Sequence, residues 1–208
     1  MNDVIEVSER AVSFSGEMVA AILDGRKIQT RRVVSGDLAA EIEDVHESGE
    51  RAWVMSGVGV DVASLGGPYV VGMGLWVRET YRVYSIETRD GAEGVWLTYK
   101  AAPEGGGRQV RWVERDHALL TDAQRGQRWI GGRFMPRWAA RLRLEIVEVR
   151  LERVQAIGEG DALAEGVADV AAFEALWDRL NKRRGYEWAG NPWVWVVSFV
   201  LVKHSTVR

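Results

Sequence analysis

Pro192-Trp-Val-Trp-Val-Val-Ser-Phe-Val-Leu-Val202 is the stretch that most restricts the fold. It is apolar at odd and even positions alike, and successive side chains of a strand point to opposite faces. Both faces therefore need covering, which predicts a strand in the interior of a sheet. The chain has 208 residues, 47% hydrophobic and 27% charged, enough to bury a core around such a strand. Residues 11–14, 28–34, 74–83, 95–100 and 142–154 read as further strands. The last of these changes phase. Leu142, Leu144 and Ile146 share one face, and then Val147, Val149 and Leu151 take over. A slip of one residue marks a β-bulge or a sharp bend, the device by which sheets curl toward barrels.

Short helices fit between these strands. Ser15 is a good N-cap, Glu17 suits the positive end of the helix dipole, and Val19, Ile22 and Leu23 form an apolar face. Gly25 stands where a left-handed residue commonly stops a helix. Residues 159–165 make a second short helix closed by Gly166. Asp169 can cap a third, with Phe173, Leu176, Trp177 and Leu180 as its apolar stripe. Residues 35–50 carry a weak helical pattern, 52–62 read as a hairpin, Gly66-Gly67-Pro68 as a turn, and 113–128 as partly helical. There are no internal repeats and no obvious linker. The expectation is one α+β domain over residues 1–208, built on a bent sheet or small barrel with short flanking helices. It carries long insertions at about 35–70 and 84–130.

Charge and composition narrow the function. Net charge is −3, from 27 basic and 30 acidic residues, which argues against a general polyanion binder but leaves room for a local basic groove. The absence of cysteine removes disulfides and thiolate metal sites. His46, His117 and His204 lack ligand spacing, so no metal and no cofactor are expected. The first residues are neither basic nor a long apolar run, and no stretch has the length of a membrane span. The expected setting is the cytoplasm, with no membrane partner. Gly72-Met-Gly74 is not followed by a helix and is not a dinucleotide fingerprint.

The densest polar segment follows Gly25: Arg26, Lys27, Gln29, Thr30, Arg31 and Arg32. A polar loop tethered to a packed helix is a common way to hold a binding or catalytic site. Glu79 falls in the apolar-facing row of its strand, where an unpaired carboxylate is expensive. It predicts an arginine partner, such as Arg31 or Arg32. Arg78, beside it, belongs to the same candidate group. Arg133, Arg137, Arg141 and Arg143 can rim a pocket and meet phosphate or ribose, or be solvated surface charges. Trp138, Trp188 and Trp193 are candidates to stack on a base; Trp188, in a glycine-flanked loop, is the better one, whereas Trp195 belongs to the core.

Several blocks occur in a recognisable order: Gly25-Arg-Lys-Ile-Gln-Thr-Arg-Arg32, Gly74-Leu-Trp-Val-Arg-Glu-Thr80, Met135-Pro-Arg-Trp138 with the strand after it, Gly160-Asp-Ala-Leu-Ala-Glu-Gly166, and Asn191-Pro-Trp-Val-Trp-Val-Val-Ser-Phe199. Together they resemble the ASCH family, in its phage and prophage type. The resemblance implies a PUA-like pseudobarrel and a partner that is a modified nucleoside or single-stranded RNA. One branch of that family is an amidohydrolase that deacetylates N(4)-acetylcytidine. Carried over by motif, Lys27, Thr30 and Glu165 would be catalytic. Other branches are RNA-binding regulators or nucleases. The chain is longer than the compact enzymes and has Ile28 where they carry Thr.

The chemistry is coherent by itself. Amide hydrolysis needs a nucleophile, a base and an acid for the leaving amine. Thr30 offers a hydroxyl. Lys27 offers a base if burial, or crowding by Arg26, Arg31 and Arg32, lowers its pKa. Glu165 can shuttle the proton or orient the lysine. Positions 27 and 30 point to opposite faces of a regular strand, so they converge only if Lys27 lies in the turn or the strand is bulged. The plainer reading makes Lys27 a surface lysine and Thr30 a sheet residue. The first expectation is therefore a metal-independent amidohydrolase. Its rival is a non-catalytic module for RNA or a modified base, with ribonuclease as a weaker third.

Overall fold

The computed structural model describes residues 9–34, 39, 67–101 and 110–202. The chain is mixed α and β, and its described strands form two sheets whose strand orders run from edge to edge without closing into a barrel. Contacts divide it into two compact units, and each unit draws on separated segments. Residues 1–25, 74–144 and 201–208 make the first; residues 26–73 and 145–200 make the second. The expected hairpin at 52–62, nearly all of the 35–50 segment and Gly66 lie outside the described residues.

In the first unit, β1 (Glu9–Ser13) pairs in parallel with β3 (Gly74–Arg78). Helix α1 (Gly16–Leu23) follows β1. The Ser15 hydroxyl accepts from the Met18 N–H at 3.3 Å, and Val19, Ala21 and Ile22 are buried. The strand expected over 74–83 breaks after Arg78, and β4 (Tyr81–Arg89) opens a second sheet. That sheet has the order β4, β5 (Ala92–Tyr99), β6 (Val110–Glu114), all antiparallel. Part of the expected insertion is thus a sheet in its own right. Its inner face, Tyr81, Val83, Val95, Leu97 and Tyr99, packs against Leu120, Met135, Ala139 and Ala140. A capping box at Thr121 and Gln124 starts the one-turn helix α2 (Asp122–Arg125).

In the second unit, β7 (Arg143–Arg153, whose first two residues belong to the first unit), β8 (Trp193–Val202, whose last two do) and β2 (Gln29–Val33) lie side by side. β8 is the middle one, as its two apolar faces predicted. Residues Trp193 to Val197 are all buried. β7 shows the expected change of phase: Leu144 and Ile146 are buried, then Val149 and Leu151, while Val147 is exposed. Two α-helices are described in the rest of the unit. α3 (Glu159–Ala164) is closed by Gly166 at φ +85°. α4 (Val170–Asn181) is capped by Asp169, whose Oδ1 accepts from the Ala172 N–H at 2.7 Å. Phe173 and Trp177 of α4 pack with Val154, Ile157, Ala162, Val194 and Val196. Leu180, assigned to the same stripe, is exposed. No helix among the described residues is long and apolar enough to cross a membrane.

Candidate functional site

The second unit collects the charges that the polar segment after Gly25 announced. Gly25 takes φ +74°, the conformation that ends α1, and Lys27 follows two residues later. Lys27 is held outside β2 by an isolated bridge to Glu165, the residue that caps α3. Neighbouring main-chain bonds fix this bridge: Ile28 N–H donates to the Ala164 carbonyl at 2.8 Å, and Phe199 N–H donates to the Ile28 carbonyl at 2.9 Å. The Lys27 side chain has no solvent exposure and that of Glu165 has 3%.

The ammonium is saturated. Lys27 Nζ donates to Glu165 Oε2 at 2.5 Å, to the Glu165 carbonyl at 2.9 Å and to the Gln29 carbonyl at 2.8 Å. An ammonium has three protons, so these bonds use all of them. Burial lowers the Lys27 pKa, Arg32 and Arg31 push the same way, and the Glu165 carboxylate opposes them. The net direction is down. Of the cations expected to crowd it, Arg32 and Arg31 contribute and Arg26 is not among the causes, and desolvation outweighs them.

Arg31 extends the network. Its Nη1 donates to Gln29 Oε1 at 2.7 Å and lies 3.5 Å from Glu165 Oε1. Its Nη2 donates to Asp161 Oδ2 at 2.6 Å and to Glu152 Oε2 at 3.3 Å. The guanidinium carbon sits 5.7 Å from the centroid of the Phe173 ring. Asp161 also accepts from Arg150, and Ser198 donates to Glu148. The network runs outward, from the fully covered Lys27 and Arg31 to Asp161, Glu152 and Arg150 at 22 to 25% exposure. Glu165 Oε1 is buried and accepts no hydrogen bond from any described residue.

Strand alternation explains who takes part. Gln29 and Arg31 share a row of β2 and lie opposite Ser198 and Val196 of β8, on the face that carries α3 and α4. Thr30 lies in the other row, opposite Val197. The structure therefore joins Lys27 to Glu165 across 138 residues of sequence and sets Thr30, also buried, on the opposite face of the sheet. Arg32 belongs to the Thr30 row, and Arg26 is exposed.

The other candidates have local roles. Glu79 is 1% exposed and makes its ion pair with Arg141, not with Arg31 or Arg32. Two 2.8 Å bonds, from Arg141 Nε and Nη2 to the two carboxylate oxygens, form a fork. Arg141 also donates to the Ala101 carbonyl and lies over the Tyr99 ring. Arg78 reaches the Arg133 carbonyl at 3.5 Å, and Arg137 and Arg143 both bind the Glu9 carboxylate. Trp188 packs edge-on against Phe173, with its own N–H main-chain group donating to Asp178. It is half-buried against the core of the second unit, not held out in a loop.

Sequence reasoning missed Asp161, Glu152 and Arg150, and gave Gln29 of the polar segment no role. A signal existed for the three that were missed. Asp161 and Glu165 are four residues apart around a helix, which puts them on one side. Glu148, Arg150 and Glu152 occupy alternate positions of β7, the row left polar after its change of phase. No group of histidine, aspartate and glutamate among the described residues has the arrangement of a metal site. No known protein family, curated protein or solved structure matches the chain.

Proposed function

We propose that the chain is a nucleoside- or RNA-directed protein of the ASCH type, with a PUA-like ancestry to its sheet. Its reactive centre is the Lys27–Glu165 pair, and the reaction is hydrolysis of an N(4)-acylated cytidine or a related modified nucleoside. The observation that carries the reading is that pair: a lysine and a glutamate brought within 2.5 Å by the fold, both almost wholly out of water. A lysine whose pKa is lowered by burial is a better base at neutral pH than a free one.

The position of Thr30 changes the expected mechanism. With its hydroxyl in the other row of β2, the nucleophile is water. Neutral Lys27 takes a proton from that water, whose oxygen bonds to the acyl carbon, and Glu165 Oε1 orients it. The C–N bond then breaks, and Lys27 returns the proton to N4 of the departing cytidine. Water is consumed, and a carboxylic acid and the free amine form. Arg31, itself held by Asp161, places a guanidinium 3.5 Å from Glu165 Oε1.

Turnover of N(4)-acetylcytidine is the test. Lys27→Ala and Glu165→Gln should each lose about 10²–10⁴-fold in rate. Thr30→Val should keep most of it. Activity should rise with pH and level off below the ordinary lysine range, because the neutral amine is the active form. Equal rates in wild type and the Lys27 and Glu165 variants would end the proposal.

The same burial favours a second reading. With all three ammonium protons engaged, the network works as a lock within the sheet, and the protein binds RNA or a modified base without turnover. Unchanged RNA affinity in Lys27→Met, together with absent turnover in wild type, would select this reading.

A further inference from the structure

The first unit holds a cavity of about 750 Å³, within the range of small-molecule sites. It is walled by the segment between β6 and β7. Trp129, Phe134 and Leu119 stand at it with 48, 68 and 58% exposure, and Trp138 is half-buried. Exposed aromatic groups clustered around a concavity are costly in water and mark binding sites. The charged residues among its described lining are Arg115 and Arg128, and no carboxylate is among them. Each ring is also approached by a guanidinium: Arg82 lies 4.9 Å from the Trp129 centroid, Arg115 5.0 Å from Trp138, and Arg133 4.8 Å from Phe134.

This combination selects a chemistry. Flat rings and guanidinium planes accept another flat ring by stacking, and arginines without an acidic neighbour in the wall attract an anion. The volume suits one nucleotide unit. Gln124, buried at the cavity wall, is fixed by its Nε2 bond to the Tyr81 hydroxyl at 2.9 Å and by the bond its Oε1 accepts from the Thr121 N–H, so this wall is already ordered. We propose that this cavity is a nucleotide site, in which a base stacks on Trp129 or Trp138 and its phosphate meets Arg115 and Arg128. Free mononucleotides and nucleotide units of a single strand share that chemistry. Its lining shares no residue with the Lys27 network, and the proposal stands whether or not that network is catalytic.

Calorimetric titration of the full chain with AMP, CMP and a short single-stranded oligonucleotide tests it. Trp129→Ala should weaken binding about tenfold or more, the scale of one base–aromatic stack. Arg128→Glu should abolish it at moderate salt. Both positions are exposed, so thermal unfolding of these variants should match wild type. Glu174→Gln, at an exposed position of α4 in the second unit, should bind as wild type does. A tighter oligonucleotide than mononucleotide identifies the ligand as part of a strand; equal affinities identify the free nucleotide. Absence of binding at millimolar ligand, or wild-type affinity in both cavity variants, overturns the proposal. Loss in Trp129→Ala with no effect of Arg128→Glu also overturns it, since the ligand would then be uncharged. An equal loss in Glu174→Gln overturns it as well.

Discussion

Lys27 is held by opposing effects. Taking an ammonium out of water is costly, and the Glu165 carboxylate repays that cost only while both charges are present. Lys27→Met should therefore destabilise the protein by about 3–5 kcal/mol, because Glu165 would stay buried without the cation closest to it. Lys27→Met combined with Glu165→Leu should recover much of that loss. Denaturant midpoints of the single and double variants measure the coupling, and additive effects would deny it. The residue scale also shows what a sequence can and cannot tell. A carboxylate in an apolar row announces that it must be paired, and Glu79 is. The partner, Arg141, stands 62 positions away, and nothing in local pattern selects it over Arg31. Thr30 was legible in the opposite sense. Alternation along a strand already set it apart from position 27, and the motif reading needed Lys27 in the turn or a bulge in the strand; Lys27 does lie outside β2, but β2 runs in regular register and keeps Thr30 in the other row.

Elements were read more accurately than contacts. The caps at Ser15 and Asp169, the stop at Gly25, the interior position of β8 and the change of phase in β7 all follow from side-chain chemistry within a few residues. The break between β3 and β4 was not legible, because Leu75, Val77 and Tyr81 keep one alternation across it. Only the change of partner strand reveals it. Gly94 in β5 is not legible for a related reason: its role depends on the neighbouring strand. A Cβ there would meet the Val113 carbonyl oxygen and Trp112 Cη2, each at 2.7 Å. Main chain cannot yield easily, so Gly94→Ala should cost about 1–3 kcal/mol, seen as a lower thermal midpoint. An unchanged midpoint would mean that β6 shifts freely.

For the molecule as a whole, acid should be the weak flank. Burial alone would raise the Asp161 pKa, but the hydrogen bond and charge of Arg31, with Arg150 behind them, leave it below the ordinary aspartate range. Glu9 is lowered in the same way by Arg137 and Arg143, against the effect of burial. A carboxylate with a depressed folded pKa adds stability that is complete above its unfolded value and fades as pH falls through the folded one. Stability should thus drop below about pH 4, near the unfolded aspartate value. Asp161→Asn should flatten that limb in urea midpoints measured across pH; an identical acid limb would remove Asp161 from the account. At this scale the sequence was least informative. It shows no linker because none is needed: the chain passes between the units at 25–26, 73–74, 144–145 and 200–201. No single cut in the gene can therefore release either half intact. A terminal truncation that reaches past any of these crossings strips pieces from both. Insertion of a whole unit into another gene would require splicing, and recombination would inherit the pair together or not at all.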